Sequence, residues 1–216
     1  MAEFSLLILA SYLVGAIPFG YLAGRLHGVD LRECGSRNIG ATNAGRVLGR
    51  KWGLLVFAFD FLKGFLPVLT MRCLLGGEPK SLDYWGASLL ICSILAVVLG
   101  HTFTCFLRFR GGKGVATSAG ALFALSPFIG ACAFAAWIVF MLVFRYVSLA
   151  SIAAAAAMVF AAWYDFCRGS VLFGPGWMFF AVLVAIAVLV VIKHRTNIAR
   201  LIDGTEARSW VRTSKK

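Results

Sequence analysis

Three polar stretches interrupt an otherwise apolar sequence, and their residue types suit the binding of anions. The first spans residues 35–46 and reads GSRNIGATNAGR. Its three glycines can expose backbone N–H groups without a Cβ in the way, and Arg46 offers a planar fork suited to phosphate. The alternative is a solvated loop whose arginines only anchor the membrane topology. The candidate ligand-binding residues here are Ser36, Asn38, Gly40, Thr42, Asn43 and Arg46.

The second stretch, residues 100–117, contains GHTF and then RFRGGKGVAT. A glycine-rich turn that runs into a helix presents unpaired N–H groups and the positive end of the helix dipole to an anion. It is not a Walker loop, because Leu107 stands where that motif needs glycine, so ATP hydrolysis is not implied. We interpret the stretch as a phosphate cradle, with a plain basic turn as the alternative. Its candidate residues are His101, Gly111, Gly112, Lys113, Gly114 and Thr117.

The third stretch, residues 193–206, reads KHRTNIARLIDGTE. If it is helical, His194 and Asn197 lie on one face and could point together at a reacting group. Glu206 could tie back to an arginine. The alternative is a basic amphipathic tail on anionic headgroups, which we prefer for residues 210–216.

The three stretches are rich in anion binders and poor in general bases. They contain no HxxxxD, HExxH or GxSxG pattern. Such a site fits a reaction whose leaving group is already good and whose substrates carry phosphate. Positioning and charge neutralisation would then supply most of the rate.

The composition identifies a polytopic membrane protein. The hydrophobic fraction is 61% and the charged fraction 14%, against roughly 45–50% and 25% in soluble domains. These values exclude a soluble globular enzyme, a disordered chain and a disulfide-built secreted domain. The net charge of +12 lies between apolar segments and therefore favours anionic lipid or small anionic substrates over nucleic acid. The six cysteines form no CxxC pair and predict neither a disulfide nor a metal site.

Apolar segments at about 4–24, 53–75, 85–107, 115–144, 147–164 and 171–192 are candidate membrane spans. Pro127 lies near the middle of the fourth segment and predicts a break there. Basic clusters at 25–51, 108–114 and 193–216 share one face only if the chain turns back at that break, as the positive-inside rule prefers. We therefore expect an all-α protein with seven spans, the amino terminus outside and the carboxyl terminus inside. The fourth and fifth helices would be short, with about 13–17 residues each.

Asp60 and Lys63 stand three residues apart in the second predicted span, on one helix face. They form either a mutually neutralised pair in the bundle interior or one wall of a polar substrate site, because ionisable groups at this depth are costly and usually functional.

The three stretches together resemble the three cytoplasmic motifs of the bacterial acyl-phosphate:glycerol-3-phosphate acyltransferases, the PlsY family. The resemblance covers about residues 4–206 and extends to the DxxKG of Asp60, Lys63 and Gly64. Two positions depart from residues that are frequent in the family, Thr104 and Arg37.

The resemblance implies one membrane-embedded domain over 1–216, with motif stretches at 25–51, 100–117 and 193–206. It implies an inner-membrane enzyme of phospholipid synthesis whose active site faces the cytoplasm. That enzyme would transfer a fatty acyl group from acyl phosphate to the 1-hydroxyl of glycerol 3-phosphate, giving lysophosphatidic acid and inorganic phosphate. No metal or cofactor is implied, and the enzyme that makes acyl phosphate is an expected partner.

By matching position, the catalytic roles fall to Ser36, Arg46, Lys113, His194 and Asn197. The first two would hold substrate phosphate and orient the reacting groups. Lys113 and its glycines would cradle a phosphate, and His194 with Asn197 would position the hydroxyl. Glu206 would hold structure more than substrate.

Two other classes of protein are open alternatives. A small anion transporter fits the Asp60–Lys63 pair, but the polar stretches gather on one face and no inverted repeat is visible. A structural membrane subunit would leave the loop glycines, Ser36 and His194 without a purpose.

Overall fold

The structure is a computed structural model that describes residues 2–76, 82–168 and 176–209. Every regular element in these three ranges is a helix, which confirms the all-α prediction. A short 3-10 turn, Cys105–Leu107, follows the fifth helix. The helices are α1 (Ala2–Ala16), α2 (Phe19–Leu26), α3 (Ala41–Val47), α4 (Arg50–Leu74), α5 (Tyr84–Thr102), α6 (Val115–Leu125), α7 (Pro127–Phe144), α8 (Val147–Cys167), α9 (Gly176–Lys193) and α10 (Arg195–Ile202).

Six helical segments within the described ranges are long and apolar enough to cross a bilayer. The first of them is interrupted at Pro18, where α1 gives way to α2. The start of the predicted segment 171–192 lies outside the described residues. The six segments are Glu3–Leu26, Arg50–Leu74, Tyr84–Leu107, Pro127–Phe144, Val147–Cys167 and Gly176–Lys193.

The predicted break in segment 115–144 is confirmed. Ser126 is the N-cap of α7, its hydroxyl accepts a hydrogen bond from the N–H of Ile129 at 3.4 Å, and Pro127 occupies the first helical turn. The lengths differ from expectation, because α6 has 11 residues and α7 has 18. An 11-residue helix is about 16 Å long, roughly half the thickness of the hydrocarbon core. A seventh crossing by α6 therefore stays a proposal.

The described chain divides into two compact units. The first contains residues 2–71 and 92–121, and the second contains residues 72–76, 82–91, 122–168 and 176–209. The first unit thus holds the first two polar stretches, and the second unit holds the third.

In the first unit, α1 and α5 approach closely at glycines. A Cβ on Gly15 would overlap the backbone of Val97, and one on Gly100 would overlap the carbonyl oxygen of Tyr12. Small residues allow such close backbone packing in apolar surroundings. A 3.1 Å hydrogen bond between the hydroxyls of Ser11 and Ser93 joins the same two helices.

The helices α4 and α6 make a second close contact of the same kind in the first unit. A Cβ on Gly64 would overlap the carbonyl oxygen of Thr117, and one on Gly120 would overlap that of Phe61. Because Gly64 stands one helical turn after Asp60 and directly after Lys63, this contact holds the start of α6 beside the buried charged pair.

In the second unit, α8 packs on both α7 and α9. The buried face of α8 carries small side chains, such as Ala150, Ala155 and Ala162, which suits close packing. The guanidinium of Arg72 donates from Nη1 to the carbonyl oxygen of Ala124 at 2.9 Å. This bond satisfies a carbonyl at the end of α6, which the break before Pro127 leaves without a helical partner.

Replacing Gly64 with Ala should destabilise the protein by about 1–3 kcal/mol, because the new methyl group has no space between α4 and α6. The measurement is the fraction of monodisperse protein that survives heating in detergent. Gly45→Ala is the matched control, since a Cβ there meets only Gly53 Cα at 3.6 Å. Equal thermal stability of the two variants would contradict the close contact.

Candidate functional site

The first polar stretch is organised around the buried side chain of Asn43. Its Oδ1 accepts a 2.8 Å hydrogen bond from the N–H of Ser36, and its Nδ2 donates to the carbonyl oxygens of Leu31 and Cys34 at 3.0 Å each. Gly35 has φ of +60° and sits against that amide, so a side chain at this position would be both strained and blocked. The amide of Asn43 is therefore used in shaping the loop.

The side-chain amide of Asn38 also stabilises the loop. Oδ1 of Asn38 accepts a 2.9 Å hydrogen bond from the N–H of Gly40, which is the N-cap of α3. Ser36 and Thr42 are exposed, and Arg46 is half-buried near the end of α3. Of the six candidates in this stretch, the two asparagines thus stabilise the loop while the hydroxyls reach the surface.

Not every cation near the first stretch is available for an anion. Arg32 forms a two-point ion pair with Asp30, with Nε 2.9 Å from Oδ1 and Nη2 2.6 Å from Oδ2. The side-chain hydrogen bonds from Arg32 lower the pKa of Asp30 to about 2. The pair is neutralised at physiological pH and leaves the other arginines of 25–51 to set the local positive charge.

The second stretch folds back on the end of α5. The N–H of Gly111 donates to the carbonyl oxygen of Thr102 at 3.2 Å, and the N–H of Gly112 donates to that of His101 at 3.1 Å. Both of these N–H groups are thus paired with α5, so they are not among the unpaired donors that the sequence suggests for this turn. Any phosphate cradle here would depend on Lys113, which is half-buried, and on the first turn of α6.

Glycine is required at these positions because neighbouring atoms occupy the space that a Cβ would need. A Cβ on Gly111 would overlap the carbonyl oxygen of His101, and one on Gly112 would overlap the Nε2 edge of the same ring. Gly114 has φ of +84° and lies against the buried hydroxyl of Thr102. The loop thus wraps the carboxyl end of α5 and enters α6 at Val115.

A buried charged group lies next to this loop. Nζ of Lys63 is 2.7 Å from Oδ1 of Asp60, and Nδ1 of His101 is 3.6 Å from the same oxygen. All three side chains are at most 5% exposed. Lys63 also donates to the carbonyl oxygen of Ile17 at 2.7 Å, so it pairs a backbone carbonyl group at the break between α1 and α2. The pair predicted from the spacing is real, and His101 is a third member that the sequence did not reveal.

The third stretch is helical over α10, as expected, with His194 as its N-cap. His194 and Asn197 are both buried. Nδ1 of His194 lies 2.8 Å from the carbonyl oxygen of Val190. Because a carbonyl only accepts, Nδ1 carries the hydrogen and Nε2 is the acceptor nitrogen of the neutral ring.

Glu206 ties the third stretch together. Its Oε1 accepts from Nδ2 of Asn197 and from the hydroxyl of Ser148, and its Oε2 accepts from Nε of Arg200, each at 2.7 Å. Burial alone would raise the pKa of Glu206, but hydrogen bonds from Asn197, Ser148 and Arg200 hold it below its ordinary value. The predicted tie to an arginine is present, whereas Ser148 of α8 was missed because it stands 58 residues away.

The candidates therefore form three groups, two in the first unit and one in the second. In the first unit, the second stretch lies with Asp60, Lys63 and Thr117, and the first stretch forms its own loop around Asn43. In the second unit, His194 and Asn197 lie with Glu206. Within the described ranges, no cluster of three or more metal-ligating side chains could hold a metal ion.

Replacing Glu206 with Gln should lower stability by about 2–3 kcal/mol, because three donors lose a charged acceptor. A lowered pKa means that the ionised carboxylate stabilises the fold above its ordinary value of 4.5, and that this contribution is lost as pH falls through the lower native value. The wild-type advantage in thermal unfolding should be constant at neutral pH and shrink below pH 4.5. Glu33→Gln, at an exposed position, is the control; an equal loss there would contradict the assignment.

The chain is similar to known proteins over nearly its whole length. Residues 5–204 match the family model described as glycerol-3-phosphate acyltransferase. A glycerol-3-phosphate acyltransferase of Aquifex aeolicus is 44% identical, over 94% of this chain and 97% of that protein. One of Geobacter sulfurreducens is 45% identical, over 94% and 96%.

Two solved structures share the fold. Both are crystal structures of PlsY (YgiH), an integral membrane glycerol 3-phosphate acyltransferase, one in a glycerol 3-phosphate form and one in a lysophosphatidic acid form. The first has a TM-score of 0.82 at 42% identity, and the second has 0.79 at 41%, each over 95% of both chains. The resemblance in the three stretches is thus confirmed over nearly the whole length, and the chain belongs to the glycerol-3-phosphate acyltransferase family, multi-pass integral membrane enzymes of phospholipid biosynthesis.

Proposed function

We propose that this enzyme transfers a fatty acyl group from acyl phosphate to the 1-hydroxyl of glycerol 3-phosphate. The hydroxyl oxygen forms an ester bond to the acyl carbon while the bond from that carbon to the phosphate oxygen breaks. The products are lysophosphatidic acid and inorganic phosphate, and the hydroxyl proton passes to an oxygen of the departing phosphate. No acyl-enzyme forms.

The observation that carries this proposal is the pair of similar solved structures. One is described with glycerol 3-phosphate and the other with lysophosphatidic acid. These two molecules differ by one acyl ester, so they are the acceptor and the product of the proposed transfer. The high sequence identity and coverage support the inference that this chain binds the same two molecules.

The acyl-phosphate donor is supported by the chemistry of the polar stretches. Phosphate is a good leaving group, so the reaction needs charge neutralisation and positioning more than a strong nucleophile. Lys113, Arg46 and the amino end of α6 supply positive charge or donors of that kind. The protein itself supplies no resident cofactor in this proposal.

Each catalytic candidate has one part in the proposed reaction. Ser36 and Arg46 hold a substrate phosphate and orient the reacting groups. Lys113 neutralises the second phosphate. His194 positions the acceptor hydroxyl through Nε2, and Asn197 keeps its place through Glu206.

We further propose seven spans in the bacterial inner membrane, with the amino terminus outside and the polar stretches facing the cytoplasm. The distribution of basic residues supports this orientation. The N–H of Ser209 donates to the carbonyl oxygen of Arg145 at 2.7 Å, so the segment after α10 lies at the same end of α8 as the α7–α8 connection. That placement agrees with a carboxyl terminus on the face reached by α7 after its turn.

The donor is tested with purified full-length protein, glycerol 3-phosphate and either acyl phosphate or acyl-CoA. We expect lysophosphatidic acid only with acyl phosphate, together with one inorganic phosphate for each product molecule. Product formation from acyl-CoA at a comparable rate would contradict the proposed donor. The absence of product with either donor would contradict the proposed reaction.

The proton route is tested with His194→Gln. Gln can hold the hydroxyl by a hydrogen bond but cannot take up its proton, so kcat should fall by less than about tenfold if phosphate accepts the proton. A general base contributes about 10²–10⁴-fold, and a loss of that size would assign the proton to His194. The matched control is His27→Gln, whose Nδ1 also faces a carbonyl oxygen four residues earlier, at 2.9 Å.

The topology is tested with single cysteines in a cysteine-free background. Replacements at the exposed positions Arg37, Arg110 and Arg195 should resist a membrane-impermeant maleimide in intact cells and react after lysis. A replacement at the exposed Arg168 should react in intact cells. Reaction at position 195 before lysis would mean that α6 does not cross the membrane.

A further inference from the structure

We propose that Asp60 and His101 are positioning residues that hold the loop 111–113 in the conformation that binds a phosphate substrate. They would act through the protein and not by contact with substrate. The inference rests on the proposed function for its substrates, but its geometry lies wholly in the first unit.

The first step is the placement of the carboxylate. Oδ1 of Asp60 faces both Nζ of Lys63 at 2.7 Å and Nδ1 of His101 at 3.6 Å. Lys63 is itself held by the carbonyl oxygen of Ile17, at 2.7 Å. Because all three side chains are buried, the carboxylate cannot exchange these neighbours for water, and its position is set by Lys63 of the same helix and by His101 of α5.

The second step leads from His101 to the loop. The Nδ1 edge of the ring faces Asp60, whereas the Nε2 edge faces the Cα of Gly112, where a Cβ would overlap it. The backbone of His101 also accepts the N–H of Gly112, at 3.1 Å. Any rotation of the ring would therefore push on Gly112 or leave a gap beneath it.

The third step leads from Gly112 to the charged side chain of Lys113. Lys113 comes directly after Gly112, and its backbone leads into Gly114 and α6. Since the glycines use their N–H groups on α5, the ring of His101 supports the part of the loop that carries the ammonium group. A shift of about 1 Å at such a point is enough to weaken positioning of a substrate.

The simpler account makes Asp60 only the counter-ion of Lys63. The two accounts separate in the double variant Asp60→Asn with Lys63→Gln, which leaves no unpaired buried charge and keeps an amide donor for the carbonyl oxygen of Ile17. If Asp60 is only a counter-ion, the double variant should recover the stability, kcat and KM that Asp60→Asn alone would lose. A positioning role predicts regained stability with KM for one of the two phosphate substrates raised about tenfold, or about 1.4 kcal/mol, and kcat lowered less than threefold.

The coupling between Asp60 and His101 is measured in a double-mutant cycle that combines the change at Asp60 and Lys63 with His101→Asn. The shorter Asn side chain removes the ring edge that lies against Gly112. This variant should raise the same KM about tenfold, and adding the double change should raise it less than twofold further. His101→Gln, which reaches Gly112, should restore KM to within threefold of wild type. The control is Ser11→Ala with Ser93→Ala, which removes a buried polar pair of the same unit away from the loop.

Three results would overturn the proposal: unchanged KM in the double variant, unchanged KM in His101→Asn, or fully additive effects. If the double variant is not monodisperse, the Asn and Gln variants of His101 carry the test by themselves. Glycerol 3-phosphate binding by calorimetry is measured in parallel. It needs no donor, so it separates a failure of positioning from a failure of the proposed acyl transfer.

Discussion

Backbone hydrogen bonding in apolar surroundings is the constraint on which this structure depends. An unpaired N–H or C=O group in hydrocarbon is costly, so the chain is helical and each helix break needs polar side chains. At the break before Pro18, the carbonyl oxygen of Ala16 accepts the hydroxyl of Thr104 at 2.6 Å, and that of Ile17 accepts Lys63 at 2.7 Å. A buried lysine in turn requires a counter-ion, which explains why Asp60 stands on the same helix face.

The same constraint shows which features the sequence could predict. Hydropathy predicts the long helices, and the Ser126–Pro127 pair predicts the break between α6 and α7, because both signals are local. The helix after His194 is also a short-range feature, as is the tie from Glu206 to an arginine, which the structure shows to be Arg200.

Contacts between distant segments could not be predicted in this way. The N–H groups of Gly111 and Gly112 were expected to face a ligand, but they bind α5, and only the folded path of the loop reveals it. The hydroxyl of Ser148 on Glu206 and the ring of His101 beside Asp60 have no signal in residue spacing, since their partners are 58 and 41 positions away along the chain. A polar group in a motif is therefore not by itself a sign of contact with a ligand, because the fold can use its hydrogen bonds internally.

The first and third stretches each contain buried polar side chains that hold the chain in place. Asn43 and Glu206 are buried, and each takes part in three hydrogen bonds that define its own stretch. Ser36, by contrast, is exposed beside Asn43. A reaction that depends on positioning needs such fixed supports, because a donor held in place in advance requires no reorganisation during transfer. In the proposed reaction, the cost of losing such a buried amide or carboxylate would appear in the geometry of its exposed neighbour, as at Ser36 beside Asn43.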